Sequence, residues 1–157
     1  MRRKDREVLD NAEIMNILRR SNTIRVGMCG EKFPYIVPVS FGMEVIDDKP
    51  IVYFHGAKQG LKTEYLSQNK NVCVEADRFL KVQKTEHGIT TRYESIIGFG
   101  RCEEVESQEG ILKGLKLILQ HYGYDDYPLD RCKGIENVKM YRITLEKITG
   151  KSNPVEN

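Results

Sequence analysis

The chain lacks a long apolar run, an excess of charge of either sign, and any cluster of metal-binding side chains. Each lack removes a class of function. No uninterrupted apolar stretch approaches the roughly 20 residues that cross a bilayer as a helix, so no membrane association is expected. The start, MRRKDREVLD, has neither the apolar segment nor the small-residue cleavage site of a secretory leader. A cytoplasmic location is the default expectation. The 25 Lys and Arg nearly cancel the 23 Asp and Glu, leaving a formal charge of +2 and no field that would draw in DNA, RNA or anionic lipid. A small barrel that binds nucleic acid would interleave aromatic and basic residues on one face. Only Arg92-Tyr93 shows a trace of that pattern.

Cysteine and histidine are equally uninformative as metal ligands. Cys29, Cys73, Cys102 and Cys132 stand singly, with no CxxC pair and no histidine at zinc-finger spacing. Cys73 lies within VCVEA and Cys29 ends IRVGMC, which suits small buried thiols in a reducing compartment; a reactive thiol is the alternative reading. The three histidines, His55, His87 and His121, form no HxxxH or HExxH, so no metal site is expected. No nucleophile elbow is present either.

What is present fits one domain of residues 1–150, with 151–157 as a polar tail expected to fray. Ile14, Ile17 and Leu18 recur at helical spacing between Asp10 and Arg20, with Asp10 or Asn11 as the cap. Thr23–Cys29, Tyr35–Ile46 and Ile51–His55 read as three antiparallel strands in a meander. A helix over Lys58–Asn69 follows, then strands at Asn71–Asp77 and Thr90–Val105, the latter bent at Gly98 and Gly100. Ile111, Leu115, Ile118, Leu119 and Tyr122 make the stripe of a third helix over Gln108–Tyr122, and Val138–Ile148 supplies the last strand. Six strands in tandem with flanking helices predict a mostly β, α+β fold, an antiparallel barrel rather than a doubly wound sheet.

Two local features point to a ligand. Pro38 removes a ladder donor from the middle of a strand, so it belongs at a sheet edge, at a bulge, or where a ligand replaces the neighbouring strand. The segment YFHGAKQGLK, Tyr53–Lys62, passes from strand through turn to helix. Unpaired N–H groups of a first helical turn, the glycines Gly56 and Gly60, and the Lys62 charge suit an oxyanion; a plain turn into a capped helix is the competing reading. The motif is neither GxxxxGK[ST] nor GxGxxG. His55 is open as a metal ligand, an acid or base, or a polar strand end. Tyr93 and Ser95 share one face of a strand, as ligand contacts or as ordinary cross-strand hydrogen-bonding groups.

MRRKDRE, PYIVPVSFG, YFHGAKQGLK, VCVEAD and RYESIIGFG, in this order and at this spacing, resemble the flavin-binding split-barrel proteins related to pyridoxamine 5'-phosphate oxidase, in the branch of the nitroimidazole-resistance proteins. The resemblance runs from Met1 to about Gly150. It implies a six-stranded split barrel, a homodimer, and FMN, with FAD as a variant, near the interface. It places Val37, Pro38, Val39, Ser40 and Phe41 along the flavin ring. It places His55, Gly56, Ala57, Gly60 and Lys62 at the ribityl chain and phosphate. Tyr93 and Ser95 become later-strand contacts, and His55 becomes a flavin neighbour as well as the one candidate catalytic side chain. Ser40 stands where many relatives have Asn, and Gln59 where an acidic residue is common. The function so implied is an FMN-dependent oxidoreductase that reduces a small acceptor, such as a nitroaromatic, with an unidentified electron donor. The alternative is a dimer that holds flavin or haem without turnover, the haem reading leaning on His55 as an axial ligand. Pyridoxamine phosphate oxidation is not expected, because the oxidase's basic C-terminal motifs are missing from Val138–Asn157.

Overall fold

A computed structural model describes residues 2–86, 88–131 and 134–154; His87 and Cys132 lie outside the described residues. The strands are β1 (Glu7–Val8), β2 (Ile24–Cys29), β3 (Pro34–Val39), β4 (Gly42–Ile46), β5 (Lys49–Ala57), β6 (Asn71–Thr85), β7 (Gly88–Val105) and β8 (Val138–Asn153). The helices are α1 (Asn11–Arg20), α2 (Leu61–Gln68) and α3 (Gln108–His121). All strands pair antiparallel in the order β3-β2-β6-β7-β8-β5-β4, with β1 added beside β8. The two edges, β3 and β4, are consecutive in the chain but belong to opposite ends of the sheet. The rolled sheet is therefore split there, and the expected six-stranded split barrel appears with its second strand divided at Ser40–Phe41 and a short β1 added.

The interior is filled by one face of the long strands: Val26, Met28, Val52, Phe54, Val74, Ile96, Ile143 and Leu145 are buried together with Ile14, Ile17 and Leu18 of α1. Alternation produces this, since β2 reads buried and exposed by turns along IRVGMC. Asp10 caps α1 by accepting from the Ala12 amide at 2.9 Å. A second core lies outside the barrel, where Leu115 and Ile118 of α3 cover Ile51, Tyr53 and Met140. Glu44 pins this helix by accepting from the Tyr53 hydroxyl at 2.8 Å and pairing with Lys113 at 2.8 Å. Gly42 is required here, because a Cβ would collide with the Leu117–Ile118 backbone.

The bend expected at Gly98 and Gly100 is present as a register shift between β7 and β8 at Phe99–Gly100. Two boundaries differ from the sequence expectation. β6 continues past Asp77 to Thr85, and with the start of β7 makes a projecting ribbon. Lys151, Ser152 and Asn153 of the expected tail belong to β8, opposite Ser95, Glu94 and Tyr93, while residues 155–157 lie outside the described residues. The physical reason is Asn153, whose amide donates to Thr91 O at 2.6 Å and whose Oδ1 accepts from buried Arg92 at 3.1 Å. Hydrophobic patterning does not register such a bond.

Candidate functional site

The split in the barrel organises the candidate residues. The β4–β5 ladder pairs Gly42 with Tyr53. Continued backwards, it would set Ser40 against His55. Instead β3 turns away to pair with β2, Val39 lying opposite Ile24 and Pro38 opposite Arg25. Val37–Ser40 and His55–Ala57 thus form the two prongs of a fork. As an edge strand, β3 has half of its backbone N–H and C=O groups pointing away from β2. Pro38 sits on that edge with Val37 and Val39 turned toward the core, the position that strand prolines tolerate. Phe41 anchors the base of the fork: its ring is fully buried 4.1 Å from the His121 ring, and its N–H donates to the Tyr122 hydroxyl at 3.3 Å.

The other prong leads into α2. Gly60 takes φ +123 just before the helix and is its N-cap, with no side chain capping the first turn. The first helical bond is Glu64 N to Gly60 O at 3.2 Å, so the amides of Leu61, Lys62 and Thr63 have no intrahelical acceptor. Leu66 is buried in the core, and Thr63 Oγ1 meets the Tyr141 hydroxyl at 3.2 Å, which fixes the helix against β8. Lys62 is half-buried between them. Its Nζ lies 5.2 Å from the Phe54 ring and 6.0 Å from the Tyr141 ring, two rings themselves stacked at 5.1 Å. Among the described residues it has no ion-pair partner. Desolvation lowers its pKa, with Cys102 acting weakly in the other direction. A Cβ on Gly56 would occupy the place of this ammonium, so the glycine is the cradle in which Lys62 lies.

His55 is exposed on the opposite face of β5, paired in register with Met140. Its pKa is nevertheless lowered, first by desolvation among its neighbours and then by the Lys62 charge, which favours the neutral imidazole.

Tyr93 and Ser95 are elsewhere. Tyr93 pairs with Asn153 and His55 with Met140, at opposite ends of β8, roughly 40 Å apart along the strand at ~3.3 Å per residue. Around Tyr93, Lys151 Nζ lies 6.0 Å from the ring centroid and Arg6 also reaches the phenol. Burial would raise the Tyr93 pKa, but Arg6 and Lys151 more than reverse this and lower it. Within one protomer, then, the fold joins the β3, β5 and α2 candidates and sets Tyr93 and Ser95 apart.

Sequence reasoning missed two partners of Lys62. Tyr141 stacks beneath it, and Cys102, on β7, lies buried close by with a thiol pushed up to about 12 by burial. Both line a cavity of about 430 Å³ with Thr63, Leu66, Glu104 and Lys139. Tyr141 alternates with Met140 in the last strand, but nothing in that pattern indicates which strand it faces. Among the described residues no group of three or more His, Cys, Asp or Glu could hold a metal, and no helix is long and apolar enough to cross a membrane.

The fold has close counterparts. A proposed 5-nitroimidazole antibiotic resistance protein from Bacteroides thetaiotaomicron is 29% identical, with 92% of this chain and 85% of that one covered and a TM-score of 0.80. The flavocytochrome Anf3 of Azotobacter vinelandii is 17% identical, covering 100% of this chain and 75% of its own, with a TM-score of 0.76. An FAD and haem binding protein from Mycobacterium smegmatis is 14% identical, covering 97% and 77%, with a TM-score of 0.77. No curated protein matches the sequence. The family model described as pyridoxamine 5'-phosphate oxidase matches residues 10–152, nearly the whole chain, and this chain belongs to that family.

Proposed function

We propose that this chain is a flavin-dependent oxidoreductase that binds FMN in the fork between β3 and β5 and reduces a small acceptor of the nitroaromatic kind. The observation that carries the reading is Lys62: a half-buried cation with no ion-pair partner among the described residues, seated at a helix start with open amides. A phosphate satisfies both the charge and the amides. The free edge of β3 supplies backbone groups for the polar rim of a planar ring, and Gly56 and Gly60 let a ribityl chain approach the backbone. These residues fit the group.

When bound, a flavin supplies two-electron transfer from its reduced ring to an acceptor. The protein's part is to hold and shield it. Lys62 neutralises the phosphate, Pro38 keeps the β3 edge from pairing with another strand, and neutral His55 is a hydrogen-bonding group beside the ring or ribityl chain. FMN is preferred over FAD because one helix start and one lysine provide for a single phosphate.

The molecule is further proposed to act as a homodimer. One outer row of the sheet, Ile36, Gly27, Cys73 and Phe99, runs across four strands, with Ile36 62% and Phe99 52% exposed. An apolar row of this kind suits burial against a second copy.

Purified protein tests the reading directly. A flavin spectrum, release of FMN on denaturation, and reoxidation of the anaerobically reduced protein by a nitroimidazole are expected. A bound flavin that no nitro compound reoxidises would leave the carrier function alone standing. A second reading, haem binding at His55, draws on the neutral imidazole and on the haem-binding structural counterparts; a Soret band without flavin absorbance would select it.

A further inference from the structure

The core outside the barrel is not filled to its end. α3 lies closest to the sheet at Gly114, where a Cβ would press on the Met140 sulfur and the Tyr53 ring, and Leu115 and Ile118 beyond it are buried. One turn earlier the helix and the sheet part. Val105, Ile111, Leu129, Ile135 and Val138 meet there without covering one another, each only half-buried, around a cavity of about 770 Å³ with Met140 at its floor. Protein interiors are packed closely, and a space walled by apolar groups offers water few partners. Its size falls in the range of ligand pockets, roughly 300 to 1,000 Å³. The charged groups at its mouth cancel. Among the described residues they are Lys58, Lys139, Glu104 and Glu106, with Lys139 bonded to Glu104 at 2.7 Å and Glu106 also near it. An ion entering here would give up hydration for no net opposite charge. Met140 adds a preference for rings, because a thioether makes favourable contacts with aromatic edges.

We propose that this cavity is a binding site for an uncharged aromatic molecule of one or two rings. It adjoins the fork without belonging to it. Met140 and Val138 are the register partners of His55 and Ala57, and directly opposite residues share a face of the sheet, so the cavity floor runs toward the imidazole from the α3 side. Neither Lys62 nor the β3 edge is among the described residues that line it, so the site stands whether or not the fork holds flavin.

Indole is a suitable probe, because the chain has no tryptophan and indole fluorescence therefore reports the probe alone. Titrating the full-length protein into indole should give a saturable blue shift. An indole carboxylate, the same rings with a negative charge, should bind about ten-fold more weakly or worse, since its charge must be desolvated without a net counter-charge. Val138→Phe fills the cavity and should abolish binding with the urea midpoint unchanged or raised. Leu129→Asn, in the connection outside the barrel, should weaken indole about ten-fold by a route that does not depend on how the barrel takes the larger ring. Lys62→Ala should leave indole binding unchanged. Absence of a saturable shift overturns the site, as does binding that survives both Val138→Phe and Leu129→Asn. A carboxylate that binds as tightly as indole overturns the uncharged class. Binding that Lys62→Ala or added FMN abolishes would put the probe in the fork and sink the proposal as well.

Discussion

Lys62 and Gly56 act as one unit, so substitutions at the two sites should agree. On the proposed assignment Lys62→Ala would remove a charge-assisted phosphate contact of roughly 1.5 to 3 kcal/mol, and FMN affinity should fall about 10- to 100-fold. Riboflavin, which has no phosphate, should bind both proteins alike; equal loss for the two ligands would count against a phosphate contact. Gly56→Ala places a methyl where the ammonium lies, and that flexible end must swing aside. FMN affinity should drop, while stability changes by about 0.5 kcal/mol or less because no backbone has to move. His55 reports on the same charge. Burial first, and Lys62 second, lower its pKa from 6.5, so an NMR titration should find a low midpoint in the wild type and a higher one in Lys62→Ala.

At the level of elements, the bend where β7 meets β8 is the least forgiving feature. A Cβ on Gly100 would run into the Thr144 carbonyl, a backbone atom that cannot swing away as Lys62 can. Gly100→Ala should therefore cost about 1–3 kcal/mol, read as a lower urea midpoint with an unchanged slope. This glycine pair was legible in the sequence, as were α1 and α3, because apolar stripes and capping residues advertise themselves over three turns. The ends of β6 and β8 were not. Phe79, Leu80 and Val82 in one break the alternation of a half-buried strand, and Lys151, Ser152 and Asn153 in the other show none, yet both ends pair. Their polar groups serve each other instead, Gln83 accepting from Arg92 at 2.9 Å on one side and Asn153 at 3.1 Å on the other. Half the site was legible for a related reason. Gly56, Gly60 and Lys62 lie within one local strand–turn–helix, whereas Tyr141 under Lys62 and the company of Tyr93 arise only from long-range pairing.

For the whole molecule, both described histidines link stability to pH in the same direction. His121 lies at the end of α3, with Nε2 2.8 Å from Ser21 O and its ring against Phe41. Burial lowers its pKa, and the bond to Ser21 only partly offsets this. His55 is lowered as well. The folded state thus takes up protons at these two residues at lower pH than the unfolded chain, whose imidazoles titrate near 6.5. Their contribution is complete above that pH and is lost as the pH falls through the lowered values of the folded state. The urea midpoint should therefore decline between about pH 7 and pH 5. Because Phe41 and Tyr122 tie α3 to the base of the fork, the loosening should begin there and release flavin before the sheet unfolds. His121→Gln, which keeps a donor for Ser21 O but cannot titrate, should flatten the pH dependence even if it lowers stability at neutral pH. A wild-type decline that the variant reproduces in full would place the responsible protons elsewhere, on carboxylates such as Glu13, whose pKa the Arg20 bond lowers.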